Sequence, residues 1–172
     1  MPAAAEQLCL ACGLCCNGAL YDHAKVTDEE RDRLAGAGIV GTDPAGLSLP
    51  CSAYRGGACQ VYADRPSACR TFRCRLLRAL DDGDVPLATA LETVAKAKQL
   101  LRRGAEAGAD LSTLAARQRI RRAGPDGGQQ EAAAKARAAR IYVEAVAVGL
   151  FLERHLRNDK DAREEPAVQP SA

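Results

Sequence analysis

Cysteine dominates the possible chemistry of this chain. All eight cysteines lie within the first 74 of 172 residues. The run CLACGLCC (9 to 16) supplies Cys9, Cys12, Cys15 and Cys16, and Cys51, Cys59, Cys69 and Cys74 follow. Disulfides, a metal centre and a reactive thiol pair would each explain such crowding. The N-terminal MPAAAEQL has neither a basic region nor an apolar run of the secretory kind. The longest apolar stretch, IYVEAVAVGLFL (141 to 152), contains Glu144 and is too short to span a bilayer. A cytoplasmic protein with no membrane partner is therefore expected. In a reducing cytosol a dense cysteine pattern binds metal or does redox chemistry more often than it forms disulfides.

Cys9, Cys12 and Cys15 form C-x2-C-x2-C. Steps of three let a tight turn or one helical turn bring successive sulfurs to a common centre, as in iron–sulfur sites with a fourth ligand further along. Zinc sites more often pair two C-x2-C knuckles. The distal group, C-x7-C-x9-C-x4-C, has no second knuckle. The spacing leans towards iron–sulfur, with zinc as the alternative. Adjacent side chains diverge, so Cys15 and Cys16 are poorly placed to serve one tetrahedral centre. Five helical steps would leave Cys69 and Cys74 roughly 140° apart. Either a helix breaks between them or they face different partners. Two four-ligand sites, or one site with spare thiols, both remain open.

Arg65, Arg70, Arg73, Arg75 and Arg78 fall within fourteen residues, with no acid among them. Four thiolates around Zn²⁺ or a 2+ cubane leave net negative charge. Guanidinium groups nearby would offset it and donate hydrogen bonds to sulfur. Arg65 and Arg70 are the candidates for this cofactor-binding role, while Arg75 and Arg78 read as a solvated helix face. His23 reads as a surface or packing residue rather than a ligand, and His155 as a partner of a helix dipole. Tyr62 and Phe72 are expected to pack beside the centre and exclude water. No Ser-His-Asp set, phosphate-binding glycine loop or carboxylate pair stands out, so no catalytic residue is assigned. A net charge of +2 is too balanced to argue for nucleic acid.

The elements that must position these residues are mostly helical. Two Phe, four Tyr and no Trp leave few large side chains to bury, so helices must pack closely on small residues. Residues 9 to 20 read as a loop or turn, and 19 to 26 as containing a short strand. Thr27 and Glu30 have capping-box spacing, which predicts a helix from Asp28 to about Ala37. A hairpin is expected around Arg55-Gly56-Gly57 with Cys51 and Cys59 on its arms. Pro66 suits the start of a short helix, and RLLRAL continues helically to Asp81-Asp82-Gly83. From Val85 onward, Leu87, Leu91, Val94 and Leu101 form a helical stripe. A second helix is expected after Asp110, then a break at GPDGG, then a long helix to Leu156 with Ile141, Ala145, Val148, Leu152 and Leu156 on one face. The expected organisation is a cysteine module (1 to 80), a helical region packing on it (85 to 158) and a flexible tail (159 to 172).

The distal segment CQVYADRPSACRTFRC (59 to 74), with Pro50-Cys51 and CLACGLCC, resembles the YkgJ-type CxxCxxCC family of zinc- or iron-chelating domains. The resemblance covers about residues 9 to 78 and stops short of the helical part from 85 on. It implies that all eight cysteines are metal ligands and that Tyr62, Arg65, Pro66 and Arg70 complete the pattern. Members often carry Pro before the final cysteine, where this chain has Arg73. The module is also similar to part of bacterial flagellin lysine methylases, which implies a link to methyl transfer, although this chain lacks room for their further domain. The leading expectation is an iron–sulfur protein in a redox or catalytic role, serving a protein partner. The alternatives are a structural zinc module for protein binding and a metal sequestration or delivery protein.

Overall fold

A computed structural model of the chain describes residues 3–39, 41–43, 46–108 and 132–158. The first element is a helix, α1 (Ala4–Cys12), which carries Cys9 and Cys12. This corrects the loop expected from residue 9: Ala, Glu, Gln and Leu before the first cysteine are strong helix formers. The helix stops at Gly13, whose φ of 65° places it in the left-handed region, and its N–H donates to the Cys9 carbonyl. A Cβ there would lie 2.0 Å from the Tyr54 hydroxyl oxygen, so any side chain would have to displace the Tyr54 ring as well as accept a left-handed backbone.

The turn after α1 leads to β1 (His23–Ala24). Helix α2 (Asp28–Gly36) opens on the expected capping box, with Thr27 and Glu30 each accepting from the other's amide at 3.2 Å. Two strands not foreseen in the Gly-Pro stretch follow, β2 (Thr42–Asp43) and β3 (Gly46–Ser48). With β1 they form an antiparallel sheet of order β1-β3-β2, pairing His23 with Ser48 and Thr42 with Leu47. These strands of two or three residues are too short to show an alternating pattern in sequence.

The expected hairpin forms from β4 (Tyr54–Arg55) and β5 (Ala58–Cys59), turning at Gly56 and Gly57, both at positive φ. Cys59 sits on its second arm, whereas Cys51 falls before the first, which corrects its expected place. Pro66 caps α3 (Ser67–Thr71), and α4 (Arg75–Asp81) follows. Extended backbone at Phe72 separates these two helices.

Helix α5 (Leu87–Glu106) and helix α6 (Ala132–His155) pack on one another. The stripe read from sequence is displaced on α5, where the buried positions are Ala90, Val94, Ala97 and Gly104. Leu87, Leu91 and Leu101 flank this face, half-buried. Small residues at the centre let the helices approach closely. On α6 the expected face is observed, with Ala145, Val148 and Leu152 buried and Leu156 just beyond. Arg103 and Glu144 join the two helices in an ion pair of 2.6 Å. The helix expected after Asp110, the GPDGG break and the tail lie outside the described residues.

The chain is thus mostly α, with a small irregular cysteine-rich region containing a hairpin. One apolar cluster joins Leu8, Leu14 and Leu20 to Leu76 and Leu77 of α4, Val94 of α5, Val148 and Leu152 of α6, and Leu156 just beyond it. A smaller cluster holds Leu34, Ile39, Leu47 and Ala53 beneath the short strands. Among the described residues, no helix is long and apolar enough to cross a membrane.

Candidate metal centre

Cys9 and Cys12 are three residues apart on α1 and therefore share a face. Gly13 ends the helix, and turns through Leu14 to Leu20 present Cys15 and Cys16. Leu14 is fully buried and anchors this turn in the larger core. From the other end of the module, Cys74 caps α4, its sulfur accepting from the Leu77 amide at 3.4 Å. The start of α4 is in turn held by the C-terminal end of α6: the Arg75 amide donates to the Leu156 carbonyl, and Asn158 donates to the Arg73 carbonyl, both at 3.1 Å.

Cys51 is positioned by its amide, which donates to the Cys16 carbonyl at 2.8 Å. Its own carbonyl accepts from Tyr54 at 2.9 Å, and Tyr54 pairs with Cys59 across the hairpin. Cys69 rides on α3. The amide of Ser67, which begins α3, donates to the Glu30 carboxylate at 2.7 Å. The same carboxylate closes the α2 capping box, and these two amides hold Glu30 below the usual carboxylate range.

All eight cysteines are free thiols, and all eight line one cavity of about 750 Å³. Burial pushes Cys12 up to about 11, Cys16 to about 12 and Cys69 to about 11, and raises Cys15 well above its ordinary value. Cys9 and Cys69 are exposed as residues, yet both line the cavity, and burial is the main cause that raises both thiols. Such thiols become thiolates only beside a compensating cation. The donor set therefore suits a soft or borderline metal. Among the described residues no three Cys, His, Asp or Glu side chains converge tightly enough to hold a single ion.

Basic groups reach this cavity selectively. After burial and neighbouring thiols, the Arg65 charge acts on both Cys9 and Cys69, lowering each. Its guanidinium stacks 3.7 Å from the centre of the Tyr62 ring and donates to the Tyr62 carbonyl at 2.5 Å. Arg70 also lines the cavity, but it donates to the Arg65 carbonyl at 2.6 Å. It supports the loop that carries Arg65. Arg73 lowers Cys9, and Arg78 lowers Cys74 while hydrogen-bonding Asn158. Arg78 is exposed, as expected of a solvated helix face. Arg75 donates to the Arg154 carbonyl at 3.1 Å.

Lys98 of α5 was not legible as a neighbour of the cysteines; it hydrogen-bonds the Ala11 carbonyl, and its charge weakly opposes the burial that raises Cys12. No signal in the sequence places a lysine far from the cysteines beside them. Tyr54 was likewise missed, although it stands against Gly13 and is raised by burial and then by Cys16 and Cys12. Phe72 packs edge-on against Tyr21 at 5.0 Å, and both line the cavity, as does Tyr62. His23 is exposed and hydrogen-bonds Asp22, and His155 packs on Phe151.

A mostly helical protein that turns eight free thiols towards one cavity is a thiol-rich metal-binding protein. More particularly, the chain belongs to the CxxCxxCC family, described as a "putative zinc- or iron-chelating domain", whose model matches residues 8–97. That match runs beyond residue 78, where the sequence resemblance stops, and takes in Ala90, Val94 and Ala97 of α5. The first half of α5 is thus part of the family domain. No curated protein and no solved structure matches the chain.

Proposed function

We propose that the protein holds iron–sulfur clusters on its eight cysteines and serves as a redox or catalytic centre for a protein partner in the cytoplasm. The carrying observation is that all eight free thiols line one cavity, a ligand set of the kind that holds iron–sulfur clusters. When bound, such a cluster would supply one-electron transfer, or an iron site for group transfer of the methyl-transfer kind.

The chain's own residues would tune that chemistry. Burial raises the Cys9 thiol, and the charges of Arg73 and Arg65 oppose that rise. Tyr62, Phe72 and Leu14 limit water at the cavity wall. Protein purified anaerobically is expected to be brown, with iron and acid-labile sulfide in equal amounts. Colourless protein containing only zinc would overturn this reading and favour a structural zinc module.

A further inference from the structure

We infer that the eight cysteines make two separate four-thiolate sites, Cys9, Cys12, Cys15 and Cys74 in one, and Cys16, Cys51, Cys59 and Cys69 in the other. The inference rests on the reading of these cysteines as metal ligands, but not on which metal they hold.

The first set is built on helices. Cys9 and Cys12 share a face of α1, which packs on α4, and Cys74 is the cap of α4. Cys12, Cys15 and Cys74 all pack against the large apolar cluster that includes Leu8, Leu76 and Val94. The second set is built on the small sheet region. Cys51 is bonded through its backbone to Cys16 and to Tyr54, and Tyr54 is the cross-strand partner of Cys59. Cys51 packs on the separate cluster of Leu34, Ile39, Leu47 and Ala53. Leu34 lies on α2, and Glu30 of the same helix holds the start of α3, which carries Cys69.

Tyr54 stands between the sets. Its hydroxyl end lies against Gly13, at the turn between the cysteines of α1 and the Cys15-Cys16 pair. Adjacent Cys15 and Cys16 therefore serve opposite sites, which removes the difficulty of two neighbouring thiols on one tetrahedral centre. Each set also contains one exposed member, Cys9 or Cys69.

Cobalt(II) titration of the apoprotein under reducing, anaerobic conditions tests the division through thiolate-to-cobalt absorption. Wild type is expected to bind two equivalents per chain. Cys12→Ser and Cys59→Ser should each halve the absorption, Cys12→Ser/Cys15→Ser should still keep half, and Cys12→Ser/Cys59→Ser should lose all of it. Circular dichroism checks that each variant folds; Cys9→Ser/Cys74→Ser replaces the same-site pair and Cys9→Ser/Cys69→Ser the cross-site pair where either fails to fold. One equivalent in wild type would overturn the inference. So would complete loss in folded Cys12→Ser/Cys15→Ser. Zinc without sulfide in the purified protein, with the same halving, would overturn the iron–sulfur reading and leave the two sites standing.

Discussion

The amide of Cys51 donates to the carbonyl oxygen of Cys16 at 2.8 Å. This one backbone bond joins the last cysteine of the proximal run to the first cysteine of the distal group. It fixes Cys16 towards the strands, while Cys15 packs with the helices. The bond uses no side chain, so cysteine substitutions at either position can remove a ligand without removing the link.

Gly13→Ala is expected to destabilise the protein by more than about 1 kcal/mol, because the site combines positive φ with contact against the Tyr54 ring. Chemical denaturation measures the loss. Adding Tyr54→Leu should recover the part due to the collision and leave the part due to φ. Wild-type stability in the single variant would show that the turn at Gly13 is not tight.

Glu30 gives the module a defined acid response. Its carboxyl is held below the usual range by the Ser67 and Thr27 amides. A depressed carboxylate contributes stability above its unfolded pKa, and that contribution is lost as pH falls through the lower folded value. Glu30→Gln should thus narrow the stability difference between neutral pH and pH below the ordinary carboxylate range. Thermal melting across that window checks it, and an unchanged slope would refute the role.

Arg65 and Arg70 should separate. Arg65→Met removes the charge that acts on Cys9 and Cys69, and is expected to weaken metal retention in competition with a chelator. Arg70→Met loses only a hydrogen bond to the Arg65 carbonyl and should have a smaller effect. Equal losses in the two variants would assign both arginines to loop structure alone.

Arg157, 4% exposed, donates to the Ala19 carbonyl at 3.1 Å and pairs with Glu153. Arg157→Met should cost about 1–3 kcal/mol, since it leaves the Ala19 acceptor without that donor. Loss of metal retention in parallel would show that the end of α6 supports the centre. A urea melt with parallel metal analysis measures both.

Several features were legible because their causes are local. Thr27 and Glu30 announce α2 through a cap spanning four residues. Gly56-Gly57 announces the hairpin, and the 59 to 74 pattern announces the family. The start of α1 and strands β2 and β3 were missed for opposite reasons. Cysteine spacing drew attention away from a helix-forming stretch, and strands of two or three residues carry no measurable period.

The sequence by itself determined the thiol chemistry: eight cysteines, their spacing, the arginines among them and the family to which they belong. It also showed that Cys15 and Cys16 fit poorly on one tetrahedral centre. Only the tertiary structure decided which distal cysteine meets which proximal one, because that depends on contacts between segments far apart in the chain. Cys74 reaches α1 through α4 and the end of α6. Cys51 reaches Cys16 through a backbone bond, and Cys69 is held by Glu30 from α2. Lys98 of α5 meets the Ala11 carbonyl of α1 for the same reason: packing of whole helices sets which charges lie near the cysteines.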